Sequence, residues 1–418
     1  MIKHKAWIMI IFISMGVVLA GCGNISDANN LTKAPQAESI KQEKIKKVLD
    51  EILPPGSEYV TPKKANQKKS IFIEDIDKDG KQEAIVLYID MKENRQVHIL
   101  TLKESNETWN KVSDIATGDN YLDHFSLEDI NNDGKKEVII GTSISDSKSK
   151  KHLDIYEWEE KGLAKRVNLS YEDVDIADYN DDGKLDVLII DGEIRKSQYA
   201  KMFSYEKGKL QLRSIVKLDS DAYHENIVSG KLADGRKALY IDSGLGAHSM
   251  LTEIVAYDKG KLIKVGKEND PILFKAYPLY SKDINNDGII EVGGMYIPKG
   301  FEVAAMAEIP FIHEYVDYRI DGTKQTIQER YVDGGQHFYI TIPAKWNHKL
   351  TIKKIDKGVR LISNADKKIL FEVKWTKKDS YVSAKEKLGE TKDTIFYSDV
   401  KEDVTFLYNN FHLLKDDF

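Results

Sequence analysis

The chain has a single cysteine in 418 residues, so no disulfide can form within it. It also lacks an excess of positive charge: 62 basic residues face 68 acidic ones, a formal net charge of -6. That balance leaves no basic field to hold a nucleic-acid backbone. The ten histidines show no HExxH or comparable zinc spacing. His98, His152 and His337 fall in strand-like runs, where a packed or surface imidazole is the ordinary role. Walker and dinucleotide-binding loops are missing, and so is a Gly-x-Ser-x-Gly elbow at a strand-to-helix turn. The nearest approach to a catalytic constellation is DSGLGAHSM, residues 242–250, with Asp242, Ser243, His248 and Ser249; its glycines suit a loop between strands. What remains, 41% hydrophobic and 31% charged residues, is the composition of a soluble globular protein with room for roughly two or three domains.

The amino terminus departs from that composition. MIKHK is basic and AWIMIIFISMGVVLA, residues 6–20, is uncharged and apolar, which predicts an export signal over residues 1–21. The run ends in Leu19-Ala20-Gly21-Cys22, which resembles the lipobox of bacterial lipoproteins. The resemblance implies lipidation of Cys22 and attachment through a lipid anchor at the extracytoplasmic face of the cell membrane. Residues 22–38 are polar without apolar period and predict a flexible tether. Residues 39–61 form an amphipathic helix and lead-in: Ile40, Ile45, Val48, Leu49 and Ile52 recur at helical spacing until Pro54-Pro55-Gly56 stops them. Such a helix is expected to cover an open edge or end of the strand-rich region beyond it.

Residues 62–332 are repetitive. DIDKDGKQEAIV from Asp75, DINNDGKKEVII from Asp129, DYNDDGKLDVLI from Asp178 and DINNDGIIEVGG from Asp283 are near copies, each lying between two strand-like runs. Their starts are 54, 49 and 105 residues apart, so one copy is missing midway. There the chain reads GKLADGRKALYIDSG, which keeps Asp234-Gly235 but has Gly230, Leu232 and Ala238 where the others carry oxygen donors. Five units of four short strands, the fifth opening with YPLYSKDI at residues 277–284, predict a mainly β, propeller-like fold of about five four-stranded blades, because one small sheet cannot bury its own apolar face. Residues 333–418 break the repeat and predict a small α+β module. In it VTFLYN is expected as a strand, YVSAKEKLG as a helix, and Phe338, Tyr339, Trp346, Phe371 and Trp375 as core.

Within each full copy, oxygen-bearing side chains stand at positions 1, 3, 5 and 9, with glycine at 6. Alternate residues of a tight turn point inward and glycine permits the bend, so the spacing suits a hard divalent cation, calcium first. The donors are Asp75, Asp77, Asp79 and Glu83; Asp129, Asn131, Asp133 and Glu137; Asp178, Asn180, Asp182 and Asp186; and Asp283, Asn285, Asp287 and Glu291. Position 7 is Lys81, Lys135, Lys184 or Ile289, whose backbone carbonyl would coordinate. No exit helix follows and position 12 is apolar or glycine, which excludes an EF-hand. The loops resemble the FG-GAP or VCBS-type calcium repeats of integrin α-subunit propellers and bacterial surface proteins. That resemblance implies up to four structural Ca2+ sites. Counting carboxylates, the first loop should bind most strongly. The reading is thus a lipid-anchored binding or adhesion scaffold for a surface protein or cell-wall polymer; its competitor is an exported enzyme with a site in the fourth unit or the last module.

Overall fold

The computed structural model of the chain describes residues 37–64, 68–92, 95–145, 151–267, 269–381, 386–399 and 404–414. The leader, Cys22 and most of the tether lie outside the described residues. No described helix is long and apolar enough to cross a membrane.

The repeats fold as antiparallel sheets. The first contains Ile71–Glu74, Glu83–Ile89, Val97–Ser105 and Thr108–Ala116, with the short strand Glu58–Tyr59 also paired to Glu83–Ile89. The second contains Tyr121–Glu128, Glu137–Ser143, Lys151–Glu159 and Gly162–Tyr171; the third Asp173–Ala177, Asp186–Glu193, Ser197–Glu206 and Lys209–Leu218. The fourth contains Tyr223–Lys231, Lys237–Gly246, Ser249–Asp258 and Lys261–Val265, with Phe274–Lys275 added beside Ser249–Asp258. Second strands are buried on both faces, as in Glu83–Ile89 and Glu137–Ser143, because each lies between two packed layers.

The sheets stack face to face in chain order. Ile85, Leu87, Val97 and Ile99 of the first sheet meet Leu122, Phe125, Val138 and Ile140 of the second. Ile139, Leu153 and Ile155 then meet Val187 and Ile189 of the third, and Leu188, Ile190 and Met202 meet Leu239, Ile241 and Val255 of the fourth. Tyr240 and Ile254 continue to Val292, Val316 and Tyr318 of the fifth. The outer face of the first sheet is covered by helix α1 (Ala37–Ile52), whose Ile45 and Leu49 are fully buried against Ala84, Val86, Tyr88 and Leu100. Among the described residues no apolar cluster joins the first sheet to the fifth, so the architecture is propeller-like stacking with a helix over its first face.

The fifth sheet departs from expectation at its start. YPLYSKDI is not a strand; Lys282 alone bridges to Glu291. The segment is claimed by the fourth sheet instead: Ser281 donates its N–H and Oγ–H to Asp242 at 2.6 and 2.9 Å, and Lys275 Nζ donates to the Leu279 carbonyl at 2.5 Å. The sheet therefore begins at Val292–Tyr296, continues through Ile312–Tyr318 and Lys324–Asp333, and takes Phe338–Ile342 and Phe411–Leu413 from beyond residue 333. The remaining carboxy-terminal strands, Leu350–Ile355, Gly358–Ser363, Ile369–Lys377, Glu386–Glu390 and Thr394–Ser398, make a separate sheet. It shares a core with the fifth through Ile312, Tyr331, Phe338, Leu361 and Phe371. Two local assignments reverse. The end of YVSAKEKLG is the edge strand Glu386–Glu390, closed onto Thr394–Ser398 by the Thr391 N–H to Thr394 carbonyl bond at 2.9 Å. VTFLYN lies in helix α2 (Val404–Asn410), where Phe406 packs edge-on against Trp346 at 5.3 Å. Phe338 and Phe371 are core as expected, Trp346 and Trp375 pack on its margin, and Tyr339 stacks on His412.

Candidate metal loops and an adjoining cleft

All four acidic loops close with one hydrogen-bond pattern. The position-1 aspartates Asp75, Asp129, Asp178 and Asp283 accept from the glycine N–H at position 6 at 2.8–3.1 Å. Position 5 accepts from the N–H of position 7 (Lys81, Lys135, Lys184, Ile289) at 2.8–2.9 Å. The position-3 oxygens of Asp77, Asn131, Asn180 and Asn285 accept from the position-5 N–H of Asp79, Asp133, Asp182 and Asp287. The position-9 acids Glu83, Glu137, Asp186 and Glu291 accept from the N–H of position 2 at 2.9–3.1 Å. Gly80, Gly134, Gly183 and Gly288 all sit at φ 81–88°, the left-handed region where glycine is unstrained. Position 9 opens the next strand and is 0–2% exposed in every copy, whereas the loop tips are in solvent. A carboxylate thus stands at the base of each loop with other oxygens above it, the arrangement a hard cation bridges.

The loops differ in what faces position 9 from the third strand. In the first loop Glu83 pairs in register with Lys103, whose ammonium lies 2.6, 2.8 and 3.0 Å from Asp77, Asp79 and Glu83. Burial alone would lower the Lys103 pKa, but these three contacts outweigh it and raise it. Lys103 is therefore an internal cation in the first loop, and Asp75 Oδ1 is buried without a hydrogen-bond partner. In the second loop the corresponding Glu157 is engaged by Arg166 and Tyr205, and Asn131 donates to Glu137 at 2.9 Å. Ser204 donates to Asp186 in the third. In the fourth intact loop, one residue past the Val292–Val316 rung, the facing residue is Asp317. It is 6% exposed, and its Oδ1, like Glu291 Oε1, is buried without a hydrogen-bond partner. Donor oxygens of Asp283, Asp287 and Glu291 lie within 4.8 Å of one another, as do those of Asp75, Asp77 and Glu83. Burial pushes Glu137 and Glu291 up to about 7, with Asp317 and Asp287 adding to the rise at Glu291. Among the described residues the acidic loops whose donors converge closely enough to hold a metal ion are the first and the last intact one, and the first already contains a positive charge.

The degenerate copy explains itself. Leu232, at a donor position elsewhere, is fully buried in the core between the fourth and fifth sheets, and Asp234 accepts from the Ile320 N–H at 3.0 Å. The neighbouring DSGLGAHSM does not assemble a relay. Asp242 and Ser243 are fully buried, Asp242 in an ion pair with Lys275, whereas His248 is in the following hairpin turn at φ 75° and Ser249 donates to the Gly246 carbonyl. Of the histidines in strand-like runs, His98 contacts Asp114 and Tyr88, His152 contacts Asp119, and His337 lies in a turn at φ 57°.

The structure also brings together residues not singled out in the sequence. A cleft of about 600 Å³ opens where the second, third and fourth sheets adjoin, lined by Lys64, Lys151, Tyr171, Glu172, Asp173, Asp191, Gln198 and His224, among others. Lys151 lies 2.8 Å from Asp123, which also accepts from the Tyr171 hydroxyl at 2.7 Å. Lys64 pairs with Asp173, and His224 Nδ1 lies 2.9 Å from Glu172. Its sequence trace is faint: a tyrosine followed within two residues by an acid at or just before a first strand, in YLDHF, YEDVD and YHENI, and of these tyrosines Tyr171 lines the cleft.

Beside this network His124 is uncharged: burial, opposed by Asp123 and Asp175, lowers its pKa to about 4. In the unfolded chain it titrates near 6.5. The unfolded state therefore binds the extra proton between the two values, so stability complete above pH 6.5 is lost as pH falls toward 4, up to about 3 kcal/mol. Because Glu137 and Glu291, with raised values, push stability the opposite way over this range, the test is the difference between wild type and His124→Gln in urea unfolding from pH 7 to 4: wild type should lose stability relative to the variant as pH falls, and a difference independent of pH would remove His124 as a source.

No family model matches the chain, and no curated protein matches it. Among solved structures it is similar to the rhamnogalacturonan lyase PL11 of Bacillus licheniformis, at 11% identity and TM-score 0.31, over 55% of this chain and 58% of that one. The chain thus spans little more than half the length of that lyase. It is similar to the β-propeller domain of the Trilobed protease from Pyrococcus furiosus, at 12% identity and TM-score 0.29, over 72% and 92% of the two chains. The AfRom2 CNH domain gives 9% identity and TM-score 0.29, over 80% and 94%.

Proposed function

We propose that the chain is a lipid-anchored extracytoplasmic binding protein whose stacked sheets are braced by calcium at the acidic loops. The observation that carries this reading is the common closure of four loops, each standing a buried carboxylate under three further oxygen donors. Without a positive charge the carboxylates of a loop repel, a charge that Lys103 supplies in the first loop; a divalent cation would tie each loop to the strand that its position-9 acid opens. Calcium that binds only the folded chain raises its stability by mass action. The expected result is a higher melting temperature in calcium than in chelator, with calcium uptake measured by calorimetry. Superimposable melts in the two buffers would overturn the reading.

The cleft between the second, third and fourth sheets is the surface we assign to the partner. Its lining of lysines, carboxylates, Gln198 and Tyr171 suits a polar, hydroxyl- or charge-bearing polymer over an apolar peptide. Retention of the protein on cell-wall material, reduced at least about tenfold by Asp191→Ala, is the expected outcome. Retention that Asp191→Ala leaves intact would place the partner elsewhere, and turnover of the polymer would favour the exported-enzyme reading.

A further inference from the structure

Glu314 and Glu329 stand directly opposite each other on adjacent strands of the fifth sheet and are 3% and 0% exposed. Two like charges so placed repel, and burial strengthens the repulsion. Among the described residues their one ion-pair partner is His348, in the turn that leads into the carboxy-terminal sheet. Its Nε2 lies 3.4 Å from Glu314 Oε2 and 3.3 Å from Glu329 Oε1.

These separations are longer than the roughly 2.7–2.9 Å of a charge-assisted hydrogen bond. They match two ligands of one zinc ion, which at about 2.0–2.1 Å from the metal and a tetrahedral angle stand about 3.3–3.4 Å apart. The three donor atoms lie within 4.8 Å of one another. The surroundings hold them in place: Tyr296 donates its hydroxyl to Glu329 Oε2 at 2.9 Å and packs, tilted, against the His348 ring at 4.6 Å. The His348 N–H donates to Glu329 Oε1 at 3.1 Å, and Thr326 donates to Glu314 at 3.3 Å. The Tyr296 bond fixes the Glu329 oxygen that faces away from His348, which is how proteins orient metal-binding side chains, while the backbone N–H of His348 and the Thr326 hydroxyl bond to the facing oxygens, each of which has a second lone pair.

We infer that Glu314, Glu329 and His348 form a site for a divalent transition-metal ion, zinc first, at the seam between the fifth sheet and the carboxy-terminal sheet. Imidazole with carboxylates selects such an ion over calcium, which takes oxygen alone. Three protein ligands leave a tetrahedral ion one position for water or for a donor from a partner. The site is separate from the acidic loops, and the ion would clamp the two sheets.

The test is a zinc titration of the full-length protein kept saturated with calcium, followed by calorimetry and by thermal melting, with Co2+ as a spectroscopic substitute. One equivalent of zinc should bind, raise the melting temperature, and give visible ligand-field bands with Co2+. His348→Gln, a half-exposed position where folding is retained, should weaken zinc at least about tenfold, the loss that even an outer-shell partner can cause. Glu329→Gln should do the same. If wild type and His348→Gln take up zinc equally, or if both variants lower the melting temperature by the same amount with and without zinc, the cluster is an ion pair only and the inference fails.

Discussion

Asp317→Asn should remove the last loop's share of the calcium-dependent rise in melting temperature, and Lys103→Met should enlarge the rise. Both follow from the residue that faces position 9. In the last loop Asp283, Asp287 and Glu291 converge, Asp317 adds a carboxylate from the neighbouring strand, and Glu291 Oε1 and Asp317 Oδ1 are buried without partners. The metal-free form of this loop is therefore strained by like charge, and a cation relieves it. Asparagine at 317 narrows the difference from both sides, by making the metal-free form less repulsive and the bound form less charged. In the first loop Lys103 already places a positive charge among Asp77, Asp79 and Glu83, so an entering cation must displace a tethered ammonium. Methionine removes that competitor; the melt in chelator should fall and the melt in calcium should recover. A site saturated at about a hundredfold above its Kd contributes about 2.7 kcal/mol, several degrees in a domain of this size. Equal calcium-to-chelator differences in wild type and both variants would exclude the facing residue as the cause.

That expected order is the opposite of the one obtained by counting carboxylates, and the reason for expecting it is physical. Oxygen donors at positions 1, 3, 5 and 9 and glycine at 6 act through backbone geometry within nine residues, so the loops could be read from sequence and all four close alike. Lys103 reaches Glu83 only through the register of a hairpin whose length the loop motif does not encode. Asp317 meets Glu291 across an intervening segment, residues 297–311, for the same reason. Helix α1 could be assigned because Ile45, Val48, Leu49 and Ile52 keep helical period, and the outer face of an end sheet has to be covered. YPLYSKDI misled because its alternation mimics a strand, while its backbone N–H at Ser281 is bonded to a carboxylate of another sheet. The zinc-ligand cluster has no short-range spacing at all: fifteen residues separate Glu314 from Glu329, and nineteen more precede His348.

Lys275→Met should destabilise the protein by about 3–5 kcal/mol, the loss expected when one partner of a buried ion pair is removed. The Lys275 and Asp242 side chains are both fully buried, 3.3 Å apart. Burial lowers the Lys275 pKa, so the ammonium is retained against desolvation by its carboxylate and by the Leu279 carbonyl. Asp242 also accepts from Asn226 Nδ2, Thr252 Oγ1, and the N–H and Oγ–H of Ser281. Methionine would leave that carboxylate hydrogen-bonded but without countercharge, in the one sheet whose acidic loop has given way to a buried leucine. Segment 274–281, pinned to the fourth sheet by this pair, carries Leu279 and Tyr280 against Gly293, where an added Cβ would lie 2.7 Å from Leu279 and 3.0 Å from the Tyr280 carbonyl. Loosening it should therefore loosen the junction of the fourth and fifth sheets. The double variant Lys275→Met, Asp242→Asn should recover a large part of the loss, because the charge left behind is gone. Urea unfolding of the three proteins in calcium decides it: a single-variant loss under about 1 kcal/mol, or a double variant no more stable than Lys275→Met alone, would show that charge pairing is not what holds this segment in place.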